Sequence, residues 1–139
     1  MATNTLVRDI MSKPVKVVRE DTNLHEIIAT FGNSDINSII VVQAERPIGI
    51  ITTKDALVRG FEHGLPVTAI KAGMVATSPV ITINQEATID EAARQMKRQH
   101  IKHLPVVDNG KLVGIITDTD IMFAVPDLLS TIEEVCRPK

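Results

Sequence analysis

Aromatic residues are scarce in this chain of 139 residues, which has three Phe, no Trp and no Tyr. Proteins that hold single-stranded nucleic acid stack its bases on aromatic rings, so the composition argues against that kind of site. A net charge of −2 also lacks the basic footprint of a duplex-DNA binder. Nucleic acid is therefore not an expected partner.

Cysteine, targeting signals and long apolar runs are equally scarce. Cys136 is the single cysteine, so no intramolecular disulfide can form and a cytoplasmic location is expected. No stretch approaches the roughly 18 apolar residues of a membrane span, and the first eleven residues do not resemble a signal peptide. The four histidines have no metal-ligand spacing, so no metal site is expected.

An internal repeat is the main positive feature of the sequence. Shifted by 65 residues, positions 14–57 align without a gap with 79–122, and 11 of the 44 aligned positions are identical. Many of the others exchange one apolar residue for another, as at Leu24 and Ile89. This pattern indicates a tandem duplication.

Each copy predicts the order β-α-β-β-α and hence an α+β fold with a pseudo-twofold pair of units that share a core. A short strand (15–18 or 80–83) precedes a helix whose start is marked by Asn23 with Glu26, or by Thr88 with Glu91 as a capping box. A hairpin and a second helix follow. The predicted boundaries are 7–62 for the first repeat, 63–72 for a linker, 73–125 for the second repeat and 126–139 for a C-terminal helical tail.

The segment Gly-Ile-Ile-Thr-x-x-Asp occurs twice, at 49–55 and 114–120. One interpretation is purely structural, since Thr before a helix and Asp three residues later form a cap. The other is functional, because a carboxylate can accept bonds from both hydroxyls of a ribose. The walls of two such clefts would be aliphatic: Val15, Ile36 and Ile39 in one, and Val80, Ile101 and Leu104 in the other.

Both of these segments, together with Ile10–Val15 and Leu104–Val107, resemble a tandem pair of CBS (cystathionine β-synthase) domains over about residues 7–125. The resemblance implies a non-catalytic regulatory module that binds AMP, ADP, ATP, NAD or S-adenosylmethionine between its repeats. It also implies a homodimer in the form of a flat disk and an unidentified regulated protein. No other cofactor is expected.

The resemblance also assigns roles to individual residues. Asp55 and Asp120 would hold ribose hydroxyls, Thr52 and Thr117 would lie beside ribose or phosphate, and the backbone of 12–15 and 77–80 would face adenine. The predicted ligand-binding residues are Ser12, Pro14, Val15, Ile36, Ser38, Thr52, Lys54, Asp55, Ser78, Pro79, Val80, Ile101, Lys102, His103, Thr117 and Asp120. No catalytic residue is predicted.

The two copies differ at their basic residues. Lys54 in the first copy aligns with Thr119, and the pair Lys102-His103 in the second aligns with Asn37-Ser38, so the two clefts are expected to differ. Which cleft receives the basic pair is left open by the sequence. The main alternative function is a dimerisation or protein-docking module without a ligand; a hydrolase using Asp118 and Asp120 is disfavoured because no nucleophile–base pair accompanies them.

Overall fold

Two copies of one series of elements run through residues 5–124, the part of the chain that the computed structural model describes. The first series is α1 (Val7–Ile10), β1 (Val17–Val18), α2 (Leu24–Gly32), β2 (Ser38–Gln43), β3 (Arg46–Thr52) and α3 (Thr53–His63). The second is α4 (Ala72–Val75), β4 (Ile83–Asn84), α5 (Ile89–Gln99), β5 (His103–Asp108), β6 (Lys111–Thr117) and α6 (Asp118–Phe123). The predicted helical tail at 126–139 lies outside the described residues.

Each series forms its own three-stranded sheet. In both, the short first strand runs parallel to the second, which forms an antiparallel hairpin with the third. Ile39 opposes Ile51 in the first sheet, and Leu104 opposes Ile116 at the equivalent place in the second. The α+β fold with a repeated β-α-β-β-α unit is therefore confirmed, although β1 and β4 contain two residues each where four were predicted.

The helix that follows each hairpin begins with a reciprocal cap. Thr52 Oγ1 accepts from the backbone N–H of Asp55 at 3.1 Å, while Asp55 Oδ2 accepts from the N–H of Thr52 at 3.1 Å. The same two bonds join Thr117 and Asp120. At Thr88 only half of the predicted capping box forms, because its hydroxyl accepts from the N–H of Glu91 but no return bond from that side chain is present among residues 5–124.

In each series, the segment between the first short helix and the first strand crosses to the other repeat. We call it the crossing segment. Ser12 exchanges two backbone hydrogen bonds with Ile115 of β6, at 2.8 and 3.1 Å. Thr77 exchanges two with Ile50 of β3, at 2.9 and 3.1 Å. Each segment therefore pairs first with the opposite unit, at residue 12 or 77, and then with its own unit, at β1 or β4.

The glycine of the repeated segment allows this crossing. A Cβ at Gly49 would lie 3.1 Å from the Cβ of Ala76 and 3.3 Å from the carbonyl oxygen of Thr77. A Cβ at Gly114 would lie 2.9 Å from Met11 Cγ and close to the crossing backbone. Glycine suits both places because the crossing segment approaches closely, through Ala76 and Thr77 at Gly49 and through Met11 and the carbonyl oxygen of Ser12 at Gly114.

The buried residues among 5–124 form two clusters, one per repeat, and not the single shared core expected from the sequence. The first combines α2, β2 and β3 with Ile70, Ala72 and Val75, all of them fully buried. The second combines α5, β5 and β6 with Val7. Residues 70 and 72 of the predicted linker are therefore core residues of the first repeat, because they pack against buried residues of α2, β2 and β3.

Candidate functional site

A cleft of about 460 Å³ lies where α3 of the first repeat begins beside the start of β5 of the second. We call it the first cleft. Its lining comprises Ile50, Thr52, Lys54, Asp55, Thr77, His100, Ile101, Lys102 and His103. Residues from both repeats therefore meet in one cavity, which gathers six of the predicted site residues.

Asp55 keeps the capacity to bind a ligand although it caps α3. Its Oδ2 accepts one bond from the N–H of Thr52, and its Oδ1 lies 3.8 Å from Arg59 Nε. The side chain is 18% exposed, and a carboxylate can accept about four hydrogen bonds. The structural and the functional interpretations of Thr-x-x-Asp are thus compatible, since capping leaves acceptor positions that face the cleft.

Arg59 is a neighbour of this site that the sequence comparison missed. Its Nη1 donates to the carbonyl oxygens of Val75 and Ala76, at 3.3 and 3.0 Å. Arg59 thereby fixes α3 to the segment that leads directly into Thr77, a residue of the cleft. The equivalent residue in the second repeat is Ala124, so the search for identities gave no signal. The spacing i, i+4 from Asp55 was the available clue.

The basic residues of the second repeat lie opposite the aspartate of the first. Lys102 and His103 line the same cavity as Lys54 and Asp55, which answers the question that the sequence left open. Burial lowers the pKa of His103 from its ordinary 6.5, and the charge of Lys102 acts in the same direction. The carboxylates of Asp118 and Asp120 oppose that shift, so His103 lies near the start of α6 as well as in the lining of the first cleft.

The counterpart of this site in the other half is defined by the shift of 65 residues. We call these equivalent positions the counterpart set: Ser12, Asp35, Ile36, Asn37, Ser38, Ile115, Thr117, Thr119 and Asp120. Its helix start and its crossing segment repeat those of the first cleft, through the Thr117–Asp120 cap and the Ser12–Ile115 bridge. Ser38 is buried, with 9% of its surface exposed.

The remaining predicted residues lie on the crossing segments. The Lys13–Pro14 and Ser78–Pro79 peptide bonds are both cis, and both prolines are exposed. Ser78 lines a separate small cavity with Gly49 and Ala76, while Val15 and Val80 are half-buried. A role of these residues in facing adenine stays a prediction. Leu104, proposed above as a cleft wall, is fully buried in the second core.

A larger open groove of about 680 Å³ lies beside the first hairpin, lined by residues such as Arg19, Asp21 and Glu45. It contains no pairing of hydroxyl and carboxylate at a helix start, so the first cleft is the better candidate. Within residues 5–124 no group of three or more His, Cys, Asp or Glu could hold a metal ion. No helix of that same range is long and apolar enough to cross a membrane.

Known proteins share this sequence pattern. The family profile of the CBS domain matches residues 7–61 and 72–127. Three archaeal proteins, two from Methanocaldococcus jannaschii and one from Methanopyrus kandleri, are 32–37% identical to this chain over 78–92% of its length. This chain spans 57–69% of the length of those relatives. Hypoxic response protein 1 of Mycobacterium tuberculosis is 28% identical over 96% of both chains.

Solved structures with the same fold include two that are informative about ligands. A crystal structure of Hypoxic Response Protein I with two coordinated zinc ions has a TM-score of 0.80 and 28% identity, covering 88% of this chain and all of that one. The CBS domain pair of protein MJ0100, in complex with 5′-methylthioadenosine and S-adenosyl-L-methionine, has a TM-score of 0.77 and 27% identity. That match covers 94% of this chain and 99% of the other.

Proposed function

The chain belongs to the CBS domain family, and from this membership and the first cleft we propose that it is a non-catalytic sensor of an adenosyl compound. AMP, ADP, ATP, NAD and S-adenosylmethionine are the candidates. The observation that carries the proposal is the meeting of Thr52 and Asp55 of one repeat with Lys102 and His103 of the other in one cavity.

The roles of the groups follow from their chemistry. Asp55 would accept from the two ribose hydroxyls, and Thr52 would donate its hydroxyl proton to ribose or phosphate. Ile50 and Ile101 would contact the base as aliphatic walls, because the cavity lining contains no Phe, Tyr or Trp. The carbonyl oxygen of Thr77 accepts one bond from the N–H of Ile50, and its second lone pair would accept a bond from the ligand. The complex of the MJ0100 domain pair with two adenosyl compounds supports this class of ligand.

Absence of catalysis is part of the proposal. CBS domain pairs generally regulate other activities, and the first cleft pairs no nucleophile with a general base in hydrogen-bond contact. A ligand that contacts both repeats can change their relative arrangement only as far as its affinity differs between the two arrangements. The sensor would pass this change to a regulated protein, most simply in the cytoplasm.

A thermal-shift series tests the ligand class. The protein is heated with each of the five compounds at millimolar concentration, and a compound that binds the folded state raises the melting temperature. Asp55→Asn keeps a carbonyl oxygen for the helix cap but removes the charge and an acceptor, so it should abolish most of the shift. Glu62→Gln on the same helix, outside the cavity lining, is the control. If no compound raises the melting temperature of the unaltered protein, the proposal is wrong.

We also propose that two copies pair through α3 and α6. Exposed apolar side chains lie at equivalent positions of these helices: Leu57 with Met122, and Val58 with Phe123; Phe61 on α3 is 88% exposed. Large exposed apolar patches on a protein mark interaction surfaces. Light scattering should give the mass of a dimer for the unaltered chain and that of a monomer for Phe61→Glu. A monomer in both cases would contradict this pairing.

A further inference from the structure

Strand β1 lies at an edge of the first sheet, where one side of its backbone is unpaired. The order of that sheet is β1-β2-β3. The carbonyl oxygen of Lys16 accepts from the N–H of Ile40 in β2, at 3.1 Å. Because successive residues of a strand direct their backbone groups to opposite sides, the N–H and C=O of Val17 face away from β2. No hydrogen bond joins either group to another segment among residues 5–124, and Val17 is 47% exposed.

Open space lies along this edge. Cavities of about 680 and 460 Å³ both include Val17, Arg19 and Val42 in their linings. The larger one is the groove beside the first hairpin, and it extends to Leu112 of the second repeat. We call the two cavities together the edge groove. A neighbouring strand would lie about 4.8 Å from β1, at the place where this groove is open.

The equivalent edge of the second sheet is covered by side chains of the chain itself. Thr82 of this edge corresponds to Val17, and its carbonyl oxygen accepts from Gln95 Nε2 at 3.3 Å. Glu86, just beyond β4, forms an ion pair with Arg8 of α1. A backbone acceptor and a carboxylate are thus both occupied at the second edge.

The first repeat lacks both of these coverings. Thr30 has the position of Gln95, and its hydroxyl donates to the carbonyl oxygen of Glu26 within α2 instead of reaching β1. Gly73 has the position of Arg8, so Asp21, the counterpart of Glu86, lacks that ion pair. Natural sheets protect their edges, because an uncovered edge pairs with other chains. Two independent replacements therefore leave one edge open in a chain that covers the other.

The charges around the edge groove favour a basic partner. Glu20 and Asp21 directly follow Arg19 and are exposed, and neither forms an ion pair in the described part of the chain. Glu45 also lines the larger cavity, where Lys111 partly neutralises it. Three carboxylates thus accompany one guanidinium in the described lining of this cavity, which gives it a negative potential.

We propose that the edge groove binds an extended segment of another protein, which adds to the first sheet as a strand beside β1. Its backbone would pair with the N–H and C=O of Val17, and its apolar side chains would contact Val42 and Leu112. A Lys or Arg of the segment would bind Glu20 and Asp21. In such strand addition the main chain provides affinity and the side chains provide specificity. The inference goes beyond the sensor function and does not depend on an adenosyl ligand.

An array of short synthetic peptides, probed with the full chain, tests the inference. Peptides that combine β-branched residues with Lys or Arg should bind, and the same peptides with Glu in place of the basic residues should not. Val17→Pro removes the outward N–H but no bond to β2, so it should weaken binding of the best peptide about fivefold or more. Thr82→Pro, the same change at the covered edge, is the matched control and should alter the affinity less than about twofold.

Two further variants keep the test decisive if Val17→Pro does not fold. Thr30→Gln gives the first edge the side chain that covers the second, so it should also weaken peptide binding. Asp21→Asn should weaken binding of the basic peptides more at low salt than at high salt, because the lost contact is between exposed charges. Glu62→Gln on α3 makes the same change of charge outside the edge groove, and it should have no effect.

The outcomes that overturn the proposal are distinct. They are the absence of binding by every peptide of the array, undiminished binding by folded Val17→Pro and Thr30→Gln proteins, and a preference for acidic peptides. If no peptide binds and Val17→Pro lowers the mass measured by light scattering, a second copy of the chain occupies the edge, which also overturns the proposal. None of these results changes the shifts of melting temperature with adenosyl compounds, so the sensor function is tested separately.

Discussion

The two repeats begin their last helices in the same way but surround those helix starts with different charges. Asp55 and Asp120 accept from the preceding threonine N–H at 3.1 and 2.9 Å, so the local geometry is shared. Lys54 and Lys102 nevertheless have Thr119 and Asn37 as counterparts. The two repeats therefore share the backbone geometry of the helix start, whereas the charged side chains around it differ.

The two cores also differ at the equivalent residues Ile70 and Thr5. Truncation of Ile70 should have the largest effect of the substitutions considered below on the free energy of unfolding. Ile70 is fully buried in the first core, while its counterpart Thr5 is only half-buried. We expect Ile70→Ala to lower the free energy of unfolding by about 2–5 kcal/mol, as truncation of a buried large aliphatic side chain does. Urea denaturation measures the change.

Val67→Ala is the matched control for that truncation. Val67 precedes Ile70 in the same segment but is 39% exposed, so its truncation should cost less than about 0.5 kcal/mol. If both substitutions lowered the free energy of unfolding equally, residue 70 would not belong to the first core. It would then lie in a linker, as the sequence predicted.

The crossing of the backbone at Gly49 is the next test. Gly49→Ala should destabilise the protein by roughly 1–3 kcal/mol, because the new Cβ meets the Cβ of Ala76 and the backbone of Thr77. Gly32→Ala is the control, since nothing lies within 4 Å of its added Cβ. Thermal or urea unfolding of both variants measures the difference. A Gly49→Ala protein as stable as the control would show that the crossing segment can move away freely.

A change in the turn between β2 and β3 should stabilise the protein, by less than the Gly49→Ala substitution destabilises it. Asn109 and Gly110 have positive φ and suit the turn between β5 and β6, whereas Ala44 and Glu45 have φ of 52° and 66° in the equivalent turn. A positive φ costs a non-glycine residue roughly 1–2 kcal/mol, because its Cβ crowds the backbone. Ala44→Asn combined with Glu45→Gly should therefore stabilise the protein by about 1 kcal/mol.

Loss of the Glu45 side chain should not cancel that gain. Its ion pair with Lys111 joins two exposed groups, and such pairs contribute little to stability. The backbone oxygen of residue 45, which accepts from the N–H of Leu112, remains in the variant. Unfolding at two salt concentrations separates the two contributions. A loss of stability in the variant would mean that the Glu45 side chain holds the two hairpins together.

The sequence predicted the elements and the helix caps well because both depend on local patterns. Apolar periodicity identified α2 and α5, and the Thr-x-x-Asp segments marked the starts of α3 and α6. Crossing of residues 12 and 77 to the opposite repeats could not be predicted, since pairing between distant backbones leaves no periodic signal. Two separate cores follow from this crossing and were missed for the same reason.

The site was predicted in its composition but not in its assembly. Thr52, Asp55, Lys102 and His103 were each identified, yet only the fold shows that all four line one cavity. The spacing of Arg59 from Asp55 was a clue to their ion pair, but its two hydrogen bonds to the carbonyl oxygens of Val75 and Ala76 could not be predicted, because any residue provides such oxygens. Contacts to backbone atoms cannot be predicted from side-chain types, because every residue has the same carbonyl group.

His103 is expected to produce the smallest effect, a dependence of stability on pH. Because burial lowers its pKa in the folded protein, the unfolded chain binds a proton more readily, and the free energy of unfolding should fall as the pH drops through 6.5. The equivalent residue in the other repeat is Ser38, which does not titrate. Urea denaturation at pH 7.5 and at pH 5.5 should show a smaller loss in His103→Gln than in the unaltered protein.

A bound phosphate near His103 would oppose the lowering of its pKa. Lys102, Asp118 and Asp120 are the charged groups that act on His103 in the free protein, and a phosphate in the first cleft would add a strong anion that favours the protonated ring. ATP affinity should therefore increase as the pH falls towards 6, and His103→Gln should remove that increase. Equal pH profiles for the two proteins would place the phosphate away from His103.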